Sequence, residues 1–275
     1  MSDTARDITR KAKSNLAFAL RVLPPDRRDD MVTFYAFCRQ TDDLADDPAL
    51  PTERRRHELE TWKLGIASGF NDPTPLQAEL AALRDRRHLP NHLLLAIIDG
   101  CMMDLDHRPF PTWDDLSAYI WKVSCAVGLV SIRLFGCTDP ASEKYAVALG
   151  HALQLTNILR DVREDLENEN RIYLPIADLE QAGLTRRNLE TRELGENFQT
   201  VMRLEADRAQ AYFSRAESLL PAADRKALLP ARIMGAIYQD LLGRMKADGF
   251  RVFEKRYRVP KLRKLSILSK HLIAG

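Results

Sequence analysis

The chain has 275 residues, 45% apolar and 29% charged, long enough to bury a sizeable core and too apolar for disorder. Its 41 Lys and Arg against 39 Asp and Glu leave a formal charge of +2, so no global field recommends nucleic acid as a partner, and none is expected. The opening MSDTARDITRKAKS lacks the apolar stretch of a signal peptide, and the longest purely apolar runs, such as Leu93 to Ile98, fall far short of the ~20 residues that span a bilayer.

Prolines punctuate the chain, and apolar residues between them recur with helical spacing; β-branched alternation and hairpin dipeptides are absent. The pattern predicts helices over 4–22, 26–46, 52–69, 75–87, 91–106, 112–135, 140–167, 176–182, 186–192, 196–219, 224–247 and 250–256. Thr52 before Glu53 and Thr112 before Asp114-Asp115 read as N-caps. No linker is long or rich in Gly and Ser and no fixed-period repeat is visible, so one all-α domain over 1–275 is expected.

The helix over 26–46 ends in Arg39-Gln40-Thr41-Asp42-Asp43-Leu44-Ala45-Asp46-Asp47. At about 100° per residue, and with Tyr35 at zero, Arg39 falls near +40°, Asp42 near −20° and Asp46 near +20°. One stripe therefore carries a tyrosine, an arginine and two aspartates. Two carboxylates about 4 Å apart repel by ~4 kcal/mol at an effective dielectric near 20, and Asp is a poor helix former. A solvated helix end before Pro48 is the plain reading; against it, the stripe runs on towards Met31 and the interior.

In the helix over 112–135, Tyr119, Val123, Ala126, Val127 and Gly128 offer a face of mostly small side chains, suited to close helix packing or to leaving room for an apolar ligand. In the helix over 140–167, Gln154 at zero puts Asn157 near −60°, Asp161 near −20° and Asp165 near +20°, beside an apolar face of Leu155, Ile158, Leu159 and Val162. The i, i+4 acid pair of Asp42 and Asp46 is thus repeated more than a hundred residues on. Two such helices facing each other make a ring of hard oxygen ligands suited to Mg²⁺, which keeps several waters and bridges carboxylates to phosphates.

Past 256, Lys261-Leu262-Arg263-Lys264-Leu265-Ser266-Ile267-Leu268-Ser269-Lys270 mixes bases with aliphatics, as a solvated tail or as a segment resting on an anionic bilayer. The four cysteines are far apart and sit among apolar residues, which suggests reduced thiols and a reducing, cytoplasmic compartment. His88 and His92 share a helix face but lack companions for a zinc site.

Tyr35-Ala36-Phe37-Cys38-Arg39-Gln40-Thr41-Asp42-Asp43-Leu44-Ala45-Asp46 resembles the first aspartate motif of the squalene/phytoene synthases, and Gln154 to Asp165 followed by Arg171-Ile172-Tyr173-Leu174-Pro175 resembles the second. Gly100 to Leu105, Tyr119 to Gly128 and Arg251-Val252-Phe253 also match, so the resemblance runs from about residue 10 to about 265. It implies an isoprenoid-synthase helical bundle around a central cavity, with the aspartates at its mouth. It implies Mg²⁺ held by Asp42, Asp46, Asp161 and Asp165, directly or through water, with Gln154 and Asn157 on diphosphate or metal. Tyr35, Arg39, Lys13, Ser14, Tyr119 and Arg251 would lie around the diphosphates, and Val123 and Val127 along the isoprenoid. Relatives often carry Ser-x-Ser where this chain has Ala12-Lys13-Ser14-Asn15.

The reaction implied is head-to-head condensation of two allylic isoprenyl diphosphates, two farnesyl diphosphates giving presqualene diphosphate or a squalene-type C30 product. Two C20 diphosphates giving phytoene is the alternative. Loss of diphosphate leaves a carbocation, so cations must hold the leaving group and apolar walls must exclude water. No GxGxxG follows a strand, which leaves use of NADPH open. A non-catalytic helical assembly module would be expected to lose its acids, and a head-to-tail elongase or cyclase would carry DDxxD in another context. No obligate protein partner is indicated.

Overall fold

The computed structural model describes residues 5, 7–9, 15–168 and 170–273, and every regular element among them is helical. Lys13 and Ser14 lie outside the described residues. In chain order the helices are α1 (Asn15–Ala19), α2 (Pro25–Asp46), α3 (Thr52–Ser68), α4 (Pro75–Arg87), α5 (Asn91–Leu105), α6 (Trp113–Phe135), α7 (Ala141–Glu167), α8 (Ile176–Gln181), α9 (Arg186–Thr191), α10 (Gly195–Leu219), α11 (Leu229–Ala247) and α12 (Lys261–Ile273). A 3-10 turn, Leu20–Val22, follows α1.

Local chemistry sets most boundaries. Pro25 and Pro75 open α2 and α4 and Pro230 stands in the first turn of α11, where a missing N–H costs nothing. Reciprocal caps start α4 (Thr74 with Gln77), α6 (Thr112 with Asp115) and α9 (Thr185 with Asn188). Thr52 does not cap α3 as expected; Pro51 takes that position and Thr52 begins the helix. Gly136 closes α6 at φ 78°, where an added Cβ would run into the Arg27 guanidinium.

Three expected boundaries are corrected. The helix expected over 224–247 starts only at Leu229, because Asp224 is spent elsewhere. Nearly buried, it accepts hydrogen bonds from the Thr138 and Asp139 N–H groups (2.9 and 2.8 Å) and from the Ser142 hydroxyl (2.7 Å), anchoring the start of α7. The helix expected over 250–256 is a run of turns, since Gly249 and Phe250 both adopt left-handed φ (66° and 55°). The bases and aliphatics beyond 260 form a regular helix, α12.

The buried side chains make one contiguous core. α2 packs on α3, α4, α5 and α6, whereas α7 packs on α6, α10 and α11, so the two acid-bearing helices share α6 as a neighbour. At 23 residues α6 is long and apolar enough to cross a membrane, yet half of its most apolar stretch is buried against these neighbours, as a core helix is. Its middle, Trp121–Cys125, widens into a π-helical turn. There Gly100 of α5 lets Val123 approach and Gly150 of α7 lets Cys125 approach, with no room for a Cβ at either glycine.

Candidate active site

Both acid pairs lie in the last turns of their helices: Asp42, Asp43 and Asp46 at the end of α2, and Asp161, Glu164 and Asp165 at the end of α7. A helix C-terminus already carries about half a negative charge, so carboxylates there are placed against the dipole. Guanidinium groups offset them. Arg39 donates to Asp42 at 3.0 Å and pairs with Asp43. Arg55, buried, donates to the Ala45 carbonyl at 2.8 Å and ties off the end of α2.

The link between the two helix ends is Arg171, just past α7, which donates to Asp46 at 2.5 Å across 125 residues of sequence. On α7, Arg160 pairs with Asp161 through both oxygens, and Arg256, in the turns after α11, reaches Asp161 at 3.1 Å and Glu164 at 3.7 Å. Arg163 holds those turns against α7 through the Phe253 carbonyl (3.3 Å).

A third acid joins the pairs. Asp104 of α5 accepts from the Tyr173 hydroxyl (2.8 Å) and the Tyr119 hydroxyl (3.1 Å); the Tyr173 ring stacks on Tyr119 and on Phe110, and Phe110 meets Tyr119 at a tilt. Partial burial pushes the Asp104 carboxyl up to about 7, with the tyrosine hydrogen bonds and Arg171 pulling the other way. Asp165 rises to about 8, through burial first and then the charge of Asp161, with Asp104 and Asp46 adding to it. Asp42 rises to about 6, through burial and then Asp46, although half of its side chain still meets solvent. Asp42, Asp46, Asp104, Asp161 and Asp165 thus feel one another's charge at one end of the bundle.

Among the described residues no three acid, histidine or cysteine side chains stand close enough to cage a metal on their own. Mg²⁺ does not require that, since it takes one or two carboxylates and completes its shell with water and phosphate oxygens. The donor set fits such a cation in two respects. Asp42 and Asp165 are held in a protonation-prone state that a cation relieves, and the Oδ1 atom of Asn157, one turn before Asp161, is buried without a hydrogen-bond partner among the described residues.

Other expected residues fall elsewhere. Tyr119 is buried and its hydroxyl donates to Asp104. Arg251 is bound to Glu254 on the surface, and the arginine of that segment that meets the acids is Arg256. Val123 and Val127 are half-buried and Tyr35 and Gln154 line partly exposed faces, whereas Ala126 and Gly128 serve packing, Gly128 against Ala146. Asp104, Arg171, Tyr173 and Arg256 were not among the expected site residues. The acids Asp99, Asp104 and Asp106 late in the otherwise apolar helix 91–106 were the available signal for Asp104.

The sequence profile of the squalene/phytoene synthase family matches residues 9–263. A presqualene diphosphate synthase of Zymomonas mobilis is 35% identical over 263 residues, covering 95% of this chain and 90% of that one. A phytoene synthase of Mycobacterium tuberculosis is 32% identical over 271 residues, covering 98% and 89%. The crystal structure of a dehydrosqualene synthase in complex with a ligand superposes with a TM-score of 0.86 at 25% identity, over 98% of this chain and 94% of that one.

Proposed function

Because the chain belongs to the squalene/phytoene synthase family, we propose that this prenyltransferase joins two farnesyl diphosphates head to head, forming presqualene diphosphate or a squalene-type C30 product. The observation that carries the reading is the meeting of two acid-loaded helix ends, far apart in sequence, through Arg171 and Asp46.

In this reading 1–275 acts as one catalytic unit, and the acids Asp42, Asp46, Asp161 and Asp165 with Asn157 hold Mg²⁺, which supplies neutralisation of the departing diphosphate. Arg39, Arg171 and Arg256, paired to acids in this structure, are the cations that turn to phosphate oxygens, and their charge does not depend on pH. Tyr35, Gln154 and the N-terminal Lys13 and Ser14 belong to the same diphosphate surface. Tyr119 and Tyr173 keep Asp104 fixed behind it. Val123 and Val127 line the apolar wall that keeps water from the allylic cation, which would otherwise be quenched to an alcohol.

The substrates and product are apolar, and α12 suits contact with a lipid surface. Leu262, Leu265, Leu272 and Ile273 point outward (81%, 49%, 55% and 87% exposed), with Lys261, Arg263 and Lys270 on the same helix. Peripheral membrane contact is therefore part of the proposal.

The test is incubation with farnesyl or geranylgeranyl diphosphate and Mg²⁺, with and without NADPH, followed by product analysis. A C30 product from farnesyl diphosphate is expected. Phytoene from the C20 substrate alone would transfer the chain to the alternative reading, and no turnover of either would remove the enzymatic one. Squalene formed only with NADPH would add a reductive second step.

A further inference from the structure

On the back of α7, turned away from the acid stripe, lies a cavity of about 210 Å³ that the proposed reaction does not use. Tyr145 and Leu149 contribute from α7; relative to Gln154 they project at about 180° and 220°, and Tyr145 is some 24 Å along the helix from Asp161. Phe213 and Ala216 of α10 and Gly235 and Ala236 of α11 complete an apolar floor, and His271 of α12 stands over one side.

Two guanidinium groups line this pocket, Arg232 half-buried and Arg225 exposed at its edge. Arg232 donates to the backbone carbonyl of Arg225 at 3.4 Å, and among the described residues neither arginine has an ion-pair partner. Burial and the neighbouring Arg225 charge both act to lower the Arg232 pKa, with only the buried Tyr145 phenol acting the other way. Glu217, exposed on the rim, lies near Tyr145 and forms no ion pair with either arginine. Half-buried Arg87 and Arg208, by contrast, are matched to acids, Asp30 and Asp178. Two cations set together over an apolar floor form an arrangement that an anion relieves, and guanidinium forks fit phosphate oxygens.

We propose that this pocket binds a phosphate head carried on a short apolar stem, with Arg225 and Arg232 on the phosphate and the stem lying against Leu149, Phe213 and Ala216. The volume suits a head and a few carbons, well short of a C15 diphosphate. The site is independent of the catalytic reading, so its test needs neither Mg²⁺ nor turnover.

Hexyl phosphate is titrated calorimetrically into the full chain in EDTA, beside inorganic phosphate and beside the doubly substituted Arg225→Gln/Arg232→Gln protein. Hexyl phosphate is expected to bind more tightly than inorganic phosphate, and the double variant to lose about tenfold or more in affinity while keeping its helicity and its turnover. Arg232→Lys is expected to fall between the two. Equal binding by wild type and double variant, or no binding to wild type, overturns the site. Sedimentation with phosphatidylglycerol vesicles then separates the sources: weaker binding by the double variant assigns the head to a bilayer lipid, and unchanged binding assigns it to a soluble ester.

Discussion

At the scale of single residues, the carboxylates divide by what they receive. Asp224 is buried too, but four donors from three residues converge on it, and those hydrogen bonds outweigh burial and hold its pKa below the usual carboxylate range. Among the described residues Asp165 receives no such donors, and burial first and then the charge of Asp161 hold it near 8 against the pull of Arg171. Removing its charge therefore relieves the fold and damages the site. Asp165→Asn is expected to raise the melting temperature measured in EDTA while lowering kcat by about a hundredfold or more, the order seen when one charge-stabilising group is lost from an active site. A variant that loses stability together with activity would make Asp165 a structural carboxylate. The stripes that carry these acids were legible in the sequence because a helical period exposes i, i+4 pairs. Asp104, Arg171 and Arg256 were not, because nothing in their own segments singles them out and each acquires its meaning from a contact across 69 residues or more.

At the scale of elements, most helices could be read from prolines and apolar spacing, and the misplacements have local causes. Asp224 leaves α11 to anchor α7, and Phe250 takes a left-handed turn that the apolar pattern of 250–256 conceals. α12 was hidden for a different reason: its aliphatics lie on two faces. Ile267 packs inward and Arg263 reaches Asp240 at 2.7 Å, which fixes the helix on α11. With that side settled, the outward leucines have no packing role and leave an apolar strip in water. Leu262→Gln together with Ile273→Gln touches only that strip. Co-sedimentation with anionic liposomes is expected to drop several-fold while the melting temperature stays unchanged, since exposed substitutions rarely move stability by more than about 0.5 kcal/mol. Unchanged liposome binding would leave α12 as a packing helix with a greasy exterior.

For the whole molecule, the cost of assembling the site appears as a pH dependence of stability. Asp42, Asp104 and Asp165 titrate near 6, 7 and 8 in the folded chain and near 3.9 when unfolded. Between about pH 4 and 8 the native state therefore binds more protons than the unfolded one, and stability falls as pH rises through that window. Asp42, half exposed, contributes least because solvent screens it. Acids of the opposite kind, such as Asp224 and Asp240, are held below the usual range and lose their contribution only under more acidic conditions. The metal-free protein is thus expected to be most stable near pH 5 and to melt at least a few degrees lower at pH 8. A cation that binds the deprotonated acids flattens that slope, because it removes the protons that the folded state otherwise retains. Melting curves at pH 5.5 and 8, with EDTA or with Mg²⁺ and inorganic diphosphate, make the comparison directly. The stabilisation by Mg²⁺ should be larger at pH 8, and Asp46→Ala should abolish that difference. A Mg²⁺ effect that is the same at both pH values would mean the cation does not bind where the two helix ends meet.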